Sequence, residues 1–133
     1  MNIERHLEIL EECFSGLQTC VDGGIEKNQR IIGFLTSLGA AEMLELYLHK
    51  KNLFSLSFRI NHAWLKSQKK LKEKIPWDFP QKDKIIQLAY YIEKGRDELC
   101  YGKRLERERI KEQIEHFYKL RDALKEVGLD EIP

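Results

Sequence analysis

A chain of 133 residues is long enough for one well-filled core and short for two. Apolar residues at 42% and charged residues at 34% describe a soluble globular chain and exclude a disordered one. A net charge of +1 and a pI near 7.7 argue neither for nor against a nucleic-acid partner. The abundance of Lys and Glu is of the kind enriched in heat-loving prokaryotes. Cys13, Cys20 and Cys100 form no C-x-x-C pair, which fits reduced thiols that pack as small apolar side chains in a cytoplasm. The N-terminus carries charges where a signal peptide would be apolar, and no apolar run approaches the roughly 20 residues of a spanning helix. The expectation is a cytoplasmic protein with no membrane contact.

The hydrophobic period is helical almost throughout. Ile3, Leu7, Leu10, Phe14, Leu17 and Val21 step by three and four, with Asn2 as N-cap and Asp22-Gly23-Gly24 as the stop. A second segment starts near Ile25 and runs to about Lys50. Its apolar stripe reads Ile31, Phe34/Leu35, Leu38, Ala41, Leu44 and Leu48, and Gly33, Gly39, Ala40 and Ala41 would let a neighbouring helix approach closely. Residues 51–58 read as a connection. A third helix is predicted over 59–75, with Ile60, Trp64, Leu71 and Ile75 inward, and Pro76 and Pro80 end it. A fourth covers 81–100 through Ile85, Leu88/Ala89, Ile92 and Leu99. The fifth follows Ile110, Ile114, Phe117, Leu120, Leu124 and Val127, closed by Gly128. No internal repeat or linker interrupts the chain. The fold predicted is all-α, a single-domain up-and-down bundle of four or five helices over residues 1–133.

Few constellations carry chemistry. His6, His49, His62 and His116 lie on different segments, no two at the i, i+4 spacing of a helical zinc site, so no metal and no cofactor is expected. No P-loop and no nucleophile elbow occurs. Lys66, Lys69, Lys70, Lys72 and Lys74 read as a solvated face, or as a phosphate-tracking stripe if they border a cleft, with Trp64 and Trp77 nearby. The stretch from 96 to 107 is richer. Arg96, Lys103, Arg104 and Arg107 flank a helix break at Gly102, and Asp97 and Tyr101 are four apart. Arginine offers a planar fork suited to phosphate oxygens. Spacing alone leaves open an ordinary structural ion pair between Arg96 and its neighbours.

Arg96-Asp97-Glu98-Leu99-Cys100-Tyr101-Gly102 resembles the R-N-x-L-V-H-G signature of the HEPN domains, small helical modules found as RNA-cleaving toxins and nucleotide-binding partners. The heptapeptide follows one long helix and precedes the C-terminal amphipathic one, as in that family. Residues 39–48 resemble its small-residue second helix. The resemblance implies a homodimer that brings two motifs into one cleft, where RNA is cleaved without metal. On it, Arg96 takes the phosphate-holding role, Asp97 the polar position, and Tyr101 stands where active members have the proton-transferring histidine. Lys103 stands where the toxin branch has a tyrosine modified by a nucleotidyltransferase partner, so that partnership would lack its acceptor. A tyrosine with an ordinary pKa near 10 is only about one part in a thousand ionised at neutral pH, a poor general base. The reading is therefore a degenerate HEPN-like module in which Arg96, Asp97, Lys103, Arg104 and Arg107 bind RNA or nucleotide phosphate. Two alternatives stand beside it: a metal-independent ribonuclease using Tyr101, or recruiting His62 or His116, and a helical homodimer or scaffold whose motif makes only structural ion pairs.

Overall fold

The computed structural model describes residues 2–53 and 59–133. The described residues are helical with no strand: α1 (Ile3–Gly23), α2 (Gln29–Lys50), α3 (His62–Leu65), α4 (Gln68–Lys74), α5 (Lys82–Tyr101) and α6 (Arg107–Glu126). The all-α reading holds. Asn2 caps α1 as its sequence suggests, its side chain accepting from the Arg5 amide. Gly24, at φ 110°, turns the chain out of α1 in a conformation that costs other residues a clash.

The predicted third helix is two. α3 ends at Leu65, and Ser67 restarts the chain as the N-cap of α4, its hydroxyl accepting from the Lys70 amide. A serine in a lysine-rich run gave little hint of a break, yet its side chain competes for backbone amides better than most. α2 begins at Gln29, four residues later than predicted, because 25–28 form a turn. Residues 51–53 leave α2 in a turn, and the rest of the predicted connection, 54–58, lies outside the described residues.

α2 organises the fold. It packs against α1, α5 and α6. Contacts between α1 and α2 pair His6 with Glu42 and Gly16 with Leu35, so the two run antiparallel. Those between α2 and α5 pair Gly33 with Cys100 and Ser37 with Glu93, again antiparallel. The α5–α6 pair follows the same rule through Glu98 with Arg109 and Tyr91 with His116. Every residue from Gly39 to His49 is buried. The helix is long and apolar enough to cross a membrane by length and composition, which the sequence reading missed, and 78% of that apolar window is buried inside the bundle.

The apolar stripe assigned to α2 is also half wrong. Ile31, Phe34 and Leu38 are exposed, at 51%, 44% and 41%. The face that packs is Ile32, Gly33, Thr36, Ser37, Gly39 and Ala40. Small and hydroxyl-bearing residues win that face because the neighbours come too close for larger ones: a Cβ on Gly33 would stand 2.7 Å from Cys100 Sγ, and one on Gly39 2.7 Å from the Phe117 ring. Hydroxyls are tolerated there because they are bonded. Thr36 donates to the Ile32 carbonyl at 2.7 Å, and Gln113 of α6 donates to Thr36 Oγ1 and to the Ile92 carbonyl.

A Cβ on Gly95 would land on the Gln113 amide oxygen. Gly95→Ala should therefore displace a fully buried side chain that ties three helices together. The expected cost is on the order of 2 kcal/mol, a fall in melting temperature of roughly 6–10 °C by thermal unfolding, despite alanine's better helix propensity.

Candidate functional site

The heptapeptide occupies the last turns of α5. Leu99 and Cys100 point inward and are buried. Cys100 packs at Gly33, its thiol donating to the Arg30 carbonyl at 3.5 Å, so within the motif it is a close-packing residue. Burial comes first among the influences that push its thiol pKa up. Tyr101 faces out, 68% exposed, and meets the Phe34 ring edge-on at 6.2 Å.

Arg96 turns back along α5. Its Nη1 lies 3.3 Å from Glu93 Oε1, and its guanidinium carbon sits 5.5 Å from the centre of the Phe34 ring. Arg96 and Asp97 do not pair: Asp97 faces Lys66 across to the α3–α4 segment at 3.6 Å. Of the lysine run, Lys66 and Lys72 reach acids of α5, and Lys74 lies over the Trp64 ring. It is a solvated face that pins α4 to α5. Lys103 is exposed. Arg104 donates to the Glu26 carbonyl, and Arg107 lies 3.5 Å from the Glu26 carboxylate. The structure therefore does not gather the predicted binding residues into one group. Arg96 and Tyr101 meet at Phe34, whereas Arg104 and Arg107 turn toward the start of α2.

What holds the loop after Tyr101 is Gln29, fully buried at the start of α2. Its amide donates to the Leu99 and Lys103 carbonyls at 3.1 Å each, and its oxygen accepts from the Leu105 amide at 2.9 Å. The backbone polar groups of a broken helix end are thus satisfied by one side chain.

Sequence reasoning missed Glu93. It is 1% exposed and accepts from Ser37 Oγ at 2.8 Å, while His62 Nδ1 lies 3.0 Å from the same carboxylate oxygen. Burial alone would raise its pKa, but the hydrogen bonds from His62 and Ser37, with the charges of His62 and Arg96, hold the carboxyl below its usual 4.5. The signal was present as an acid three residues before Arg96, on the inward side of α5. The carboxylate fixes the orientation of His62 through its Nδ1. Ser37 Oγ lies 3.5 Å from the same Nδ1, so it supports the carboxylate and is not a nucleophile served by the imidazole.

The remaining histidines go elsewhere. His116 stacks on Tyr91 at 5.5 Å beside a cavity of about 310 Å³ between α5 and α6, lined also by Lys94, Glu98, Arg109 and Glu112. Burial lowers its pKa first, with nearby Lys119 and Arg109 adding to that effect and Glu112 opposing it. His6 and His49 meet in the interior between α1 and α2, their ring nitrogens 3.1 Å apart.

Comparison with known families, curated proteins and solved structures finds no match.

Because the folded Glu93 carboxyl sits below its unfolded value, its stabilisation is present above pH 4.5 and is lost as pH falls through the lowered pKa. Glu93→Gln should lower the melting temperature at neutral pH. It should also flatten the acid side of the profile below about pH 4.5 relative to the parent, measured by thermal unfolding across pH.

Proposed function

We propose that this chain is a HEPN-like helical module that binds RNA or nucleotide phosphate at a homodimer interface and does not cleave it. The observation that carries the reading is the array of Arg96, Phe34 and Tyr101. A guanidinium rests on one aromatic ring, a second ring meets it edge-on, and both rings are open to solvent. An arginine held in place by Glu93 offers a fork to phosphate, and two accessible rings offer faces on which bases stack. Glu93 leaves Arg96 partly neutralised, which favours a modest, salt-sensitive affinity.

Ile31, Phe34 and Leu38 form an apolar stripe at helical spacing on the outside of α2, continuous with Tyr101 through the Phe34 contact. A second copy covering this stripe would set two Arg96 side chains near one another, as the resemblance to the HEPN domains implies. Tyr101 is exposed and meets the Phe34 ring edge-on, a placement suited to stacking on a base, which supports binding over cleavage.

The ribonuclease reading draws its support from His62. Its Nδ1 is oriented by Glu93, the carboxylate that also holds Arg96, and its side chain is 39% exposed. That is the arrangement of a positioned general base beside a phosphate-binding arginine.

Titration of a labelled single-stranded RNA, read by fluorescence anisotropy in EDTA, tests the proposal. Binding should weaken steadily with salt, fall at least tenfold in Arg96→Ala, and leave the RNA intact. Equal binding by Arg96→Ala and the parent would sink the module reading. Metal-independent cleavage that disappears in His62→Ala would transfer the site to the ribonuclease reading. In sedimentation, the parent should run as a dimer and Phe34→Glu as a monomer.

A further inference from the structure

The bundle interior between α1 and α2 holds a second cluster, separate from the Arg96 surface. His6 comes from the first turns of α1, and Glu42, Glu45 and His49 come from successive turns of α2. All four are buried, with exposures of 0%, 2%, 2% and 3%. Polar side chains are costly inside a helix bundle unless something holds them together. Here they converge. His6 Nδ1 lies 2.5 Å from Glu42 Oε2, and His6 Nε2 lies 3.1 Å from His49 Nδ1 and 3.8 Å from Glu45 Oε1.

We propose that His6 Nε2, His49 Nδ1 and Glu45 Oε1 bind one divalent transition-metal ion of the zinc class, with Glu42 fixing His6 from behind. One donor atom from each of these three side chains lies within 4.8 Å of the other two. Donors about 2.0–2.1 Å from a tetrahedral metal stand roughly 3.3–3.5 Å apart, and the 3.1 and 3.8 Å separations bracket that edge. Two imidazoles and one carboxylate are a recognised zinc set, and bundle cores build metal sites from Glu and His of facing helices.

The groups behind the ligands fit as well. A metal-bound histidine donates its other N–H to a carboxylate, which sets the tautomer and aims the free lone pair at the ion. His6 has that partner in Glu42, so a neutral His6 presents a lone pair at Nε2 toward His49 and Glu45. Glu45 is arranged to ligate from one oxygen: Oε2 accepts from the Ile60 amide at 2.8 Å, whereas buried Oε1 accepts no hydrogen bond among the described residues and has the Arg59 guanidinium at 2.8 Å and His6 Nε2 at 3.8 Å as ionic neighbours. Arg59 also lies 3.3 Å from Glu42. With neutral imidazoles, two buried carboxylates and one arginine leave one net negative charge in the interior, which attracts a cation. The ion would clamp the start of α1 to the end of α2.

The competing account of the same atoms is an imidazole–carboxylate hydrogen-bond network with no ion, and the two differ in what they bind. The untagged full chain, freed of metal with chelator, is titrated with Co²⁺ and followed by visible absorption. One ion per chain with the intense bands of a four-coordinate nitrogen–oxygen site, displaced by Zn²⁺, is expected, together with a higher melting temperature in Zn²⁺ than in EDTA. Glu45→Gln and His49→Ala that retain the far-ultraviolet dichroism of the parent should lose affinity at least tenfold, and Glu42→Gln about 10–100-fold. His116→Ala should bind as the parent does. A folded parent that takes up no Co²⁺ and shows no Zn²⁺-dependent melting shift overturns the proposal, even if the cluster variants fail to fold. So does uptake that His116→Ala abolishes or that Glu45→Gln and His49→Ala leave unchanged.

Discussion

A helix buried on several sides leaves a polar side chain without a partner only at a cost, and α2 is such a helix. It carries Gln29, Thr36, Ser37, Glu42, Glu45 and His49 into the interior. Each of them fixes one relationship between elements. Gln29 ties the α5–α6 loop, Thr36 meets Gln113 of α6, Ser37 meets Glu93 of α5, and Glu42 meets His6 of α1. Apolar packing would bring the helices together at many rotations; bonded polar groups select among them because a slipped register strands a buried donor or charge. The small residues between them allow the close approach that makes these bonds short enough.

Both candidate sites follow from this constraint. Glu93 is carried on the inward side of α5 and must be satisfied, so it gathers Ser37, His62 and Arg96. Arg96, held at its base, then presents its guanidinium plane over Phe34. At the other end of α2, Glu42, Glu45 and His49 recur at three- and four-residue spacing, so they share one face, and His6 falls opposite them because α1 and α2 are antiparallel.

How far the sequence made this visible depended on the range of the signal. The helices were legible because their period and caps are local: Asn2, Gly24 and Gly128 mark ends that the structure keeps. The break at Ser67 escaped because a lysine-rich run carries no apolar period to interrupt. The α2 stripe was misassigned because Ile31, Phe34 and Leu38 have helical spacing on a face that stays outside, while the packed face is made of glycine, alanine, serine and threonine. The heptapeptide was found by its resemblance, but its partner Phe34 lies 62 positions before Arg96 and 67 before Tyr101, and Ser37 lies 56 before Glu93, beyond any local pattern. The His6–His49 pair was overlooked for the same reason. A search for two histidines on one helix passes over a Glu45-x-x-x-His49 turn whose third member lies on another helix. The usable signal was charge interrupting an otherwise apolar run from Ala40 to Leu48.

The anchoring of the α5–α6 loop by Gln29 has a consequence for how this chain can vary. Exposed loops ordinarily accept extra residues, since nothing inside the protein depends on their length. This loop is exposed at Gly102, Lys103 and Arg104, yet one buried amide measures the distance between Leu99, Lys103 and Leu105. A single added residue would pull at least one of those three groups off Gln29 and strand it in the interior. Length polymorphism should therefore be rare in this elbow.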